Sequence, residues 1–343
     1  MQSPGRILGH QQITQNGDTV LLLSALVLAL HGDRIIDFTG AGGVKLQGTF
    51  TAAEPHTKGP AVLLLPGSGP TDRDGNQPPM LTTDLLKSIA DKLSKSGVSS
   101  FRFDKRAAHV YASNWPKGAE ALNQYFSWEN FVGDAEAAFA VLKKQPEVDS
   151  AKAGILGHSE GGLITLQMSA NQKPAFLILV GTPYRGMADV IRGQISDALK
   201  SQGATKPIYD QYMGITNGAI KEITDKGTVP KDIPAGLVAL FNPTVAKLLQ
   251  SYFKLDVPAL ATAYPGPVLV VNGEFDSQVS AELDAKPLAA ALQKRKATKA
   301  KLFIAPKASH NLKTVAGNKE PGFVGAPNAE ALQEIAVWAK SGG

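Results

Sequence analysis

The pentapeptide at residues 157–161 has the composition of a serine nucleophile on a tight turn. It is Gly-His-Ser-Glu-Gly, which matches the pattern G-x-S-x-G with Ser159 at its centre. The apolar run Ala153–Leu156 precedes it, and a helix-like segment starts at about Gly161. A serine on a strand-to-helix turn has strained backbone angles, and small neighbours let adjacent backbones approach. We therefore predict that Ser159 is a nucleophile; a plain glycine-rich turn is the alternative.

A serine hydroxyl is a weak nucleophile and needs a neighbouring base. The chain has six histidines, and in folds with this motif the base follows the serine along the sequence. His310 is the histidine that follows Ser159, and it lies in a loop after the predicted strand Leu302–Ala305. We predict that His310 is the base; a surface loop histidine is the alternative.

The base needs a carboxylate that orients its ring and stabilises the imidazolium. That acid should lie between Ser159 and His310 and follow a strand. Asp276 meets both conditions, because it comes shortly after the predicted strand Val268–Asn272. We predict Asp276 as the acid, with Glu274 as the second candidate and a solvated turn carboxylate as the alternative to both.

Acyl transfer also needs backbone donors aimed at the developing oxyanion. One donor should be the N–H of Glu160, the residue after the nucleophile. The other should come from the loop after the strand Ala61–Leu65, whose sequence is Pro-Gly-Ser-Gly-Pro at residues 66–70. Its glycines allow a turn that aims an amide inward, and Ser68 is the predicted donor. The loop lacks the Gly-Lys-Ser/Thr and the third glycine that nucleotide-binding loops require.

Strands and helices must alternate along the chain to position these residues. After a predicted hairpin at residues 35–50, apolar strand-like runs are separated by segments with helical spacing of apolar residues. The predicted strands are Ala61–Leu65, Ser100–Phe103, Ala153–Leu156, Phe176–Val180, Val268–Asn272 and Leu302–Ala305. This alternation predicts an α/β fold, with a mostly parallel sheet covered by helices on both faces.

Residues 184–264 interrupt the alternation with helical patches and scattered Gly and Pro, and no strand is predicted there. We expect this stretch to be an inserted helical cap over the carboxyl edge of the sheet, where open α/β folds bind ligands. Residues 35–183 and 265–343 would then form the catalytic domain. Six aromatic residues are candidates for an acyl pocket beneath the cap, with ordinary packing as the alternative for each: Tyr111, Trp115, Tyr184, Tyr209, Tyr212 and Phe241.

Three phrases give the chain a family resemblance. They are PGSGPTDRD at residues 66–74, FDKR at residues 103–106 and LGHSEGG at residues 156–162. The chain resembles the α/β-hydrolase serine esterases, especially a bacterial branch grouped with dienelactone-hydrolase-like and serine-aminopeptidase-like hydrolases. The resemblance implies the α/β-hydrolase fold and hydrolysis of carboxylic esters through an acyl-enzyme, with no metal and no cofactor. Our leading hypothesis is a carboxylesterase for esters of small to medium acyl chains.

The chain departs from that pattern at two positions, and several activities stay open. Many relatives have His-Gly where Pro66-Gly67 stands, and Ala107 replaces the usual Gly after the Asp-Lys-Arg triplet.

A peptidase, thioesterase or acyltransferase would use the same triad, and a non-catalytic binding protein on the same fold is a further alternative. In the neighbouring loops, Asp72, Arg73, Asp74 and Arg106 are expected to form ion pairs that hold the oxyanion loop rather than substrate contacts.

Composition limits the remaining function classes. The 343 residues include no Cys, which excludes a disulfide framework, a Cys-ligated zinc site and a Cys nucleophile. The net charge is +5, and the basic stretch at residues 294–301 has no interleaved aromatics, so nucleic acid is not an expected partner. We expect a small-molecule ester substrate and no stable membrane insertion, and a homodimer is compatible with the sequence.

The N-terminal segment, residues 1–34, has two interpretations. Its apolar run Val20–Leu30 is too short to span a membrane and is typical of the hydrophobic region of a secretory leader. The preceding residues are polar and almost uncharged, and no clean cleavage site follows. The run is therefore also compatible with a buried element. The leader interpretation gives a weak preference for export over a cytoplasmic location.

Overall fold

The computed structural model describes residues 33–55, 57–295, 299–318 and 320–343. The predicted leader at residues 20–30 lies outside these described residues. Within them, one sheet of eight strands has the order β1-β2-β4-β3-β5-β6-β7-β8. The strands are β1 (Asp33–Thr39), β2 (Lys45–Thr51), β3 (Gly59–Leu65), β4 (Ser99–Phe103), β5 (Val148–His158), β6 (Leu177–Val180), β7 (Val268–Gly273) and β8 (Ala300–Ala305).

The sheet is antiparallel at one edge and parallel elsewhere. β1 pairs antiparallel with β2, and β2 pairs antiparallel with β4, whereas every neighbour from β4 to β8 is parallel. The predicted hairpin and the predicted mostly parallel sheet are therefore both confirmed. The parallel strands bring their carboxyl ends to one edge, where the loops that carry Ser68, Ser159, Asp276 and His310 begin.

Helices cover both faces of the sheet, as the alternation predicted. Helices α1 and α11 contact one face, and helices α3, α4 and α10 contact the other. The helices are α1 (Leu85–Lys95), α2 (Ala119–Tyr125), α3 (Trp128–Lys143), α4 (Glu160–Gln172), α5 (Met187–Ser201), α6 (Lys206–Lys226), α7 (Ala235–Val238), α8 (Ala246–Lys254), α9 (Val257–Ala263), α10 (Lys286–Gln293) and α11 (Ala329–Ser341).

The central strand β3 shows why the sheet is buried on both sides. Its side chains alternate between faces, so Leu63 and Leu65 join the core beneath α3 and α4, while Val62 and Leu64 join the core beneath α1 and α11. All four are fully or almost fully buried. A strand covered on both faces has a continuous apolar sequence, which is the pattern from which β3 was predicted.

Strand β5 starts earlier than its apolar run indicated. It begins at Val148 rather than Ala153, and residues 149–152, Asp-Ser-Ala-Lys, are half-buried or exposed and do not form an apolar run. The Gly59–Val148 pair, on the far side of a register shift, extends the ladder with β3. Backbone pairing, which is independent of side-chain type, therefore sets this boundary.

Between β6 and β7 the described chain contains helices and turns but no strand. Helices α5 to α9 occupy this stretch, and the helical patches predicted at residues 187–199 and 244–253 lie largely within α5 and α8. Within the described parts of the chain, no helix combines the length and the apolar character that a membrane crossing requires.

Candidate active site

Ser159 lies on a sharp turn between β5 and α4. Its backbone has φ 54° and ψ −118°. Residues other than glycine rarely adopt a positive φ. A Cβ on Gly157 would lie 2.2 Å from the Gly161 carbonyl oxygen, and a Cβ on Gly161 would lie 2.4 Å from the Leu65 carbonyl oxygen. The glycines of the motif are thus required by close backbone packing around Ser159.

His310 and Asp276 are in direct contact, as their spacing after consecutive strands indicated. The Nδ1–H of His310 donates to Oδ2 of Asp276 at 2.8 Å, and both residues are buried. The other carboxylate oxygen of Asp276 accepts the backbone N–H groups of Gln278 and Val279, each at 2.8 Å. A neutral imidazole that donates through Nδ1 keeps Nε2 as an acceptor, which is the form a general base requires.

Ser159 and His310 line one small cleft of about 70 Å³ together with Gly67 and Ser68. The cleft also includes polar groups such as Gln77 and Asn311. A Cβ on Gly67 would lie 3.4 Å from the Ser159 Cβ, so the loop after β3 passes directly beside the turn. The structure thus places the predicted nucleophile, base and oxyanion loop around the same space.

The two predicted oxyanion donors are backbone amides with no protein partner in the described chain. Glu160 is the first residue of α4, where a helix leaves its N–H groups without intrahelical acceptors. Ser68 lies in the loop after β3, and its N–H makes no hydrogen bond to another described residue. Both amides are therefore available to an oxygen bound beside Ser159.

His158 braces the loop that carries His310. Its Nε2 donates to the His310 carbonyl oxygen at 3.0 Å, and the two rings lie 4.7 Å apart between centroids. Burial, helped by the adjacent His310 ring, lowers the pKa of His158 from its ordinary 6.5 to about 3. His158 is therefore a neutral structural group near neutral pH.

The side chain of Glu160 is part of a buried polar network. One carboxylate oxygen accepts a hydrogen bond from Lys105 Nζ at 2.5 Å. The other accepts a hydrogen bond from the hydroxyl of Tyr252, a residue of α8. The same ammonium donates to the Gly67 carbonyl oxygen at 3.1 Å. Burial, reinforced by the negative Glu160, raises the pKa of Tyr252 well above its ordinary value, so this hydroxyl stays a donor.

A second, larger cavity of about 620 Å³ also reaches Ser159. Its walls are mainly apolar and come from the loop after β4, from α3 and from the helices between β6 and β7. Representative lining residues are Trp115, Phe131, Ile191, Leu248 and Leu249. Lys105, Glu160 and Tyr252 form a polar patch in this lining.

Of the six aromatic residues proposed for a pocket, Trp115 lies in this lining and the other five do not. Phe241 is buried in the core, and the Tyr111 hydroxyl accepts the backbone N–H of Gln47. The Tyr209 hydroxyl pairs with Ser196 Oγ, while Tyr212 and Tyr184 pack against the core. Ordinary packing, the alternative for each of them, therefore describes the positions of these five.

The charged residues beside the site form ion pairs within the protein, as predicted for three of the four. Arg73 pairs with Asp104 at 2.5 Å, Arg102 with Asp74 at 2.8 Å, and Arg106 with Asp134 at 2.6 Å. Asp72 differs, since its carboxylate accepts the backbone N–H groups of residues 74 and 76. The contacts of Asp72, Arg73 and Asp74 hold the loop that continues from the predicted oxyanion turn. Arg106 instead contacts Asp134, Tyr125 and Ala41, so its ion pair does not hold that loop.

Sequence reasoning missed Lys105, Tyr252 and the bracing contact of His158. Lys105 belongs to the motif FDKR, so its motif position was visible but its partners were not. Tyr252 lies 92 residues from Glu160 along the chain, and no local pattern predicts that contact.

A family model matches the part of the chain that carries these residues. The model described as BAAT / acyl-CoA thioester hydrolase C terminal matches residues 135–314, slightly more than half of the chain. The matched span includes Ser159, Asp276 and His310. A curated relative, Esterase EstD of Thermotoga maritima, is 25% identical over 236 residues, covering 68% of this chain and 51% of that protein. The chain thus spans about half the length of this relative.

Solved structures show the same fold at low sequence identity. Est1E from Butyrivibrio proteoclasticus is 16% identical with a TM-score of 0.53, and the match covers 90% of this chain and 96% of that one. The α/β hydrolase GrgF from Penicillium sp. sh18 is 18% identical with a TM-score of 0.51, and the match covers 81% and 91%. The predicted α/β-hydrolase fold is therefore confirmed, and the chain belongs to the BAAT / acyl-CoA thioester hydrolase C-terminal family.

Proposed function

We propose that the protein is a serine hydrolase that cleaves carboxylic esters of small to medium acyl chains through an acyl-enzyme. One observation carries the proposal. Ser159, strained on its turn at φ 54°, shares a cleft with His310, whose Nδ1 donates to the buried Asp276 at 2.8 Å. A carboxylate that orients an imidazole beside a serine is the arrangement that activates the serine hydroxyl, and the shared cleft supports this role for the three residues. The esterase relative and the family description agree with this chemistry.

The reaction would proceed in two balanced steps. Ser159 Oγ attacks the ester carbonyl as His310 Nε2 takes its proton, and the carbonyl oxygen becomes an oxyanion at the amides of Ser68 and Glu160. The alkoxy group leaves with the proton returned by His310, which gives the acyl-enzyme. Water, deprotonated by His310, then attacks the acyl carbon and releases the acid and free Ser159.

The two cavities suggest where each half of the substrate binds. His310 lines the small polar cleft and is not part of the lining of the large apolar cavity. Because His310 must protonate the leaving oxygen, the alcohol portion belongs in the cleft and the acyl chain in the large cavity. In this scheme residues 184–264 act as a helical cap whose side chains contact the acyl group, and residues 35–183 and 265–343 supply the catalytic groups.

A p-nitrophenyl ester series of increasing acyl length tests the proposal on the wild type and Ser159→Ala. We expect kcat of Ser159→Ala to fall by about 10⁶, the scale of serine nucleophile removal, with little change in KM. For the wild type, each methylene that enters the apolar cavity should raise kcat/KM about fourfold, from about 0.8 kcal/mol per buried CH₂, until the space is filled. Near-normal turnover by Ser159→Ala would reject the proposal.

Thioester hydrolysis is a second candidate, favoured by the description of the matching family. The same triad would attack a thioester, with a thiol as the leaving group. Parallel assays of an octanoyl p-nitrophenyl ester and an octanoyl thioester of a small thiol distinguish the two. A kcat/KM for the thioester at least tenfold above that for the ester would replace the first proposal with the second.

A further inference from the structure

The Lys105 side chain connects the two backbone amides that would bind the oxyanion. Its ammonium donates to the Gly67 carbonyl oxygen at 3.1 Å and to the Glu160 carboxylate at 2.5 Å. Gly67 immediately precedes Ser68, and Glu160 itself supplies the other amide. Lys105 is buried, so these contacts form away from bulk water. One cation thus links the loop after β3 to the first residue of α4.

The planarity of the peptide bond gives the contact with Gly67 a directional effect. The Gly67–Ser68 peptide is trans, because the cis bonds of the described chain lie elsewhere. In a trans peptide the C=O and the N–H of one unit point in opposite directions. A donor that fixes the Gly67 carbonyl from one side therefore fixes the Ser68 N–H on the other side. The Thr71 hydroxyl, 3.4 Å from the same carbonyl, is the weaker second donor.

On this geometry, which rests on the function proposed above, we propose that Lys105 is a positioning residue that aims the Ser68 amide at the oxyanion. Glu160 holds the Lys105 ammonium in place, and the Tyr252 hydroxyl holds Glu160 from helix α8. The position of α8 would thereby be coupled to the oxyanion site. The ammonium also polarises the peptide it contacts, which makes the N–H a stronger donor.

A contact with substrate is the competing role, because Lys105, Glu160 and Tyr252 all line the large cavity. The two roles differ in kinetics. A group that positions an oxyanion donor acts in the transition state, so its loss lowers kcat and leaves KM nearly unchanged. A group that contacts the bound ester equally in both states changes KM alone.

The test replaces the ion pair by a neutral pair of similar shape, Lys105→Met with Glu160→Gln. Removing both charges avoids an unpaired buried charge, and the Glu160 backbone amide remains. We expect kcat for p-nitrophenyl octanoate to fall about 10- to 100-fold, somewhat less than the loss of a whole oxyanion donor, with KM within twofold. Affinity for a chain-matched trifluoromethyl ketone should fall by the same factor, because its hemiketal oxygen occupies the oxyanion site.

Octanamide, which binds without being attacked, gives the ground-state reference and should bind both proteins equally. Arg106→Met with Asp134→Asn is the matched control, since this neighbouring buried pair contacts neither predicted amide donor. We expect the control to alter the melting temperature and to leave both kcat and trifluoromethyl ketone affinity within twofold of the wild type. Tyr252→Phe is a milder variant that keeps the fold and should lower kcat three- to tenfold.

Two results would overturn the positioning role. One is kcat and ketone affinity within twofold of wild type in both the double variant and Tyr252→Phe. The other is a raised KM with unchanged kcat, which would indicate a substrate contact. Labelling of the wild type by a fluorophosphonate separates this from the proposed function. A wild type that resists labelling contradicts the triad itself, whereas a labelled wild type with unaffected variants contradicts only the role of Lys105.

Discussion

The carboxyl edge of the sheet and the helical segment between β6 and β7 contribute opposite kinds of surface to the same site. At the edge, polar side chains such as those of His310 and Asp276 are paired with each other. In the helical segment, apolar side chains such as Ile191 and Leu249 line a cavity of about 620 Å³. Under the proposed function, bond breaking and substrate choice would therefore be assigned to separate parts of the chain.

The largest expected effect is the loss of kcat when Asp276, at the carboxyl edge of the sheet, is replaced. Asp276→Asn should lower kcat by about 10⁴, because an amide cannot hold the imidazole in the tautomer that accepts a proton from Ser159. Glu274→Gln is the matched control, since Glu274 instead accepts the backbone N–H of Lys307. We expect its kcat to stay within twofold of wild type. Steady-state hydrolysis of p-nitrophenyl butyrate measures both, and a larger loss in Glu274→Gln would reassign the acid.

A smaller effect is expected when a side chain of the helical segment that lines the large cavity is enlarged. Ile191 of α5 lines the large cavity, and Ile195, one turn further along the same helix, is buried outside that lining. Ile191→Phe should fill space that an acyl chain would occupy and lower kcat/KM for the decanoate at least tenfold relative to the acetate, the equivalent of about two buried methylenes.

The matched variant Ile195→Phe should change stability and leave the chain-length profile unchanged. For each variant, kcat/KM is measured with p-nitrophenyl esters from acetate to decanoate. Equal profiles for the two variants would mean that the acyl chain binds elsewhere, and the assignment of substrate choice to the helical segment would fail.

The edge and the helical segment also differ in how well the sequence predicts them. The turn at Ser159 and the loops of Asp276 and His310 follow apolar strands, and parallel strands bring their ends to one edge, so local patterns predicted this cluster. The lining of the cavity depends on how helices α5 to α8 rotate and pack. Of the six aromatic candidates, only Trp115 lies in this lining, and the contact between Tyr252 and Glu160 was not foreseen.

The smallest expected effect concerns stability at the edge rather than turnover. Burial lowers the pKa of His158 to about 3, whereas an unfolded histidine titrates near 6.5. Above pH 6.5 neither state is protonated at this residue. As the pH falls below 6.5, only the unfolded state gains the proton, so folding loses about 1.4 kcal/mol per pH unit from this group down to about pH 4.

His158→Asn keeps a donor for the His310 carbonyl and removes the titration. The free energy of unfolding is measured with urea between pH 4 and pH 7. Its slope against pH should be shallower in the variant by the equivalent of about one proton taken up on unfolding. Identical slopes would mean that His158 accepts a proton in the folded protein. In that case the bracing contact with His310 would not require a neutral ring.

The central claim is that Ser159 carries the acyl group during turnover. Acid-quenched intact mass spectrometry of the wild type, taken milliseconds after mixing with p-nitrophenyl octanoate, measures this directly. We predict a transient mass increase of one octanoyl group, located by peptide mapping on the segment with Ser159 and absent in Ser159→Ala. Rapid turnover with no adduct, or an adduct on another residue, would contradict the account.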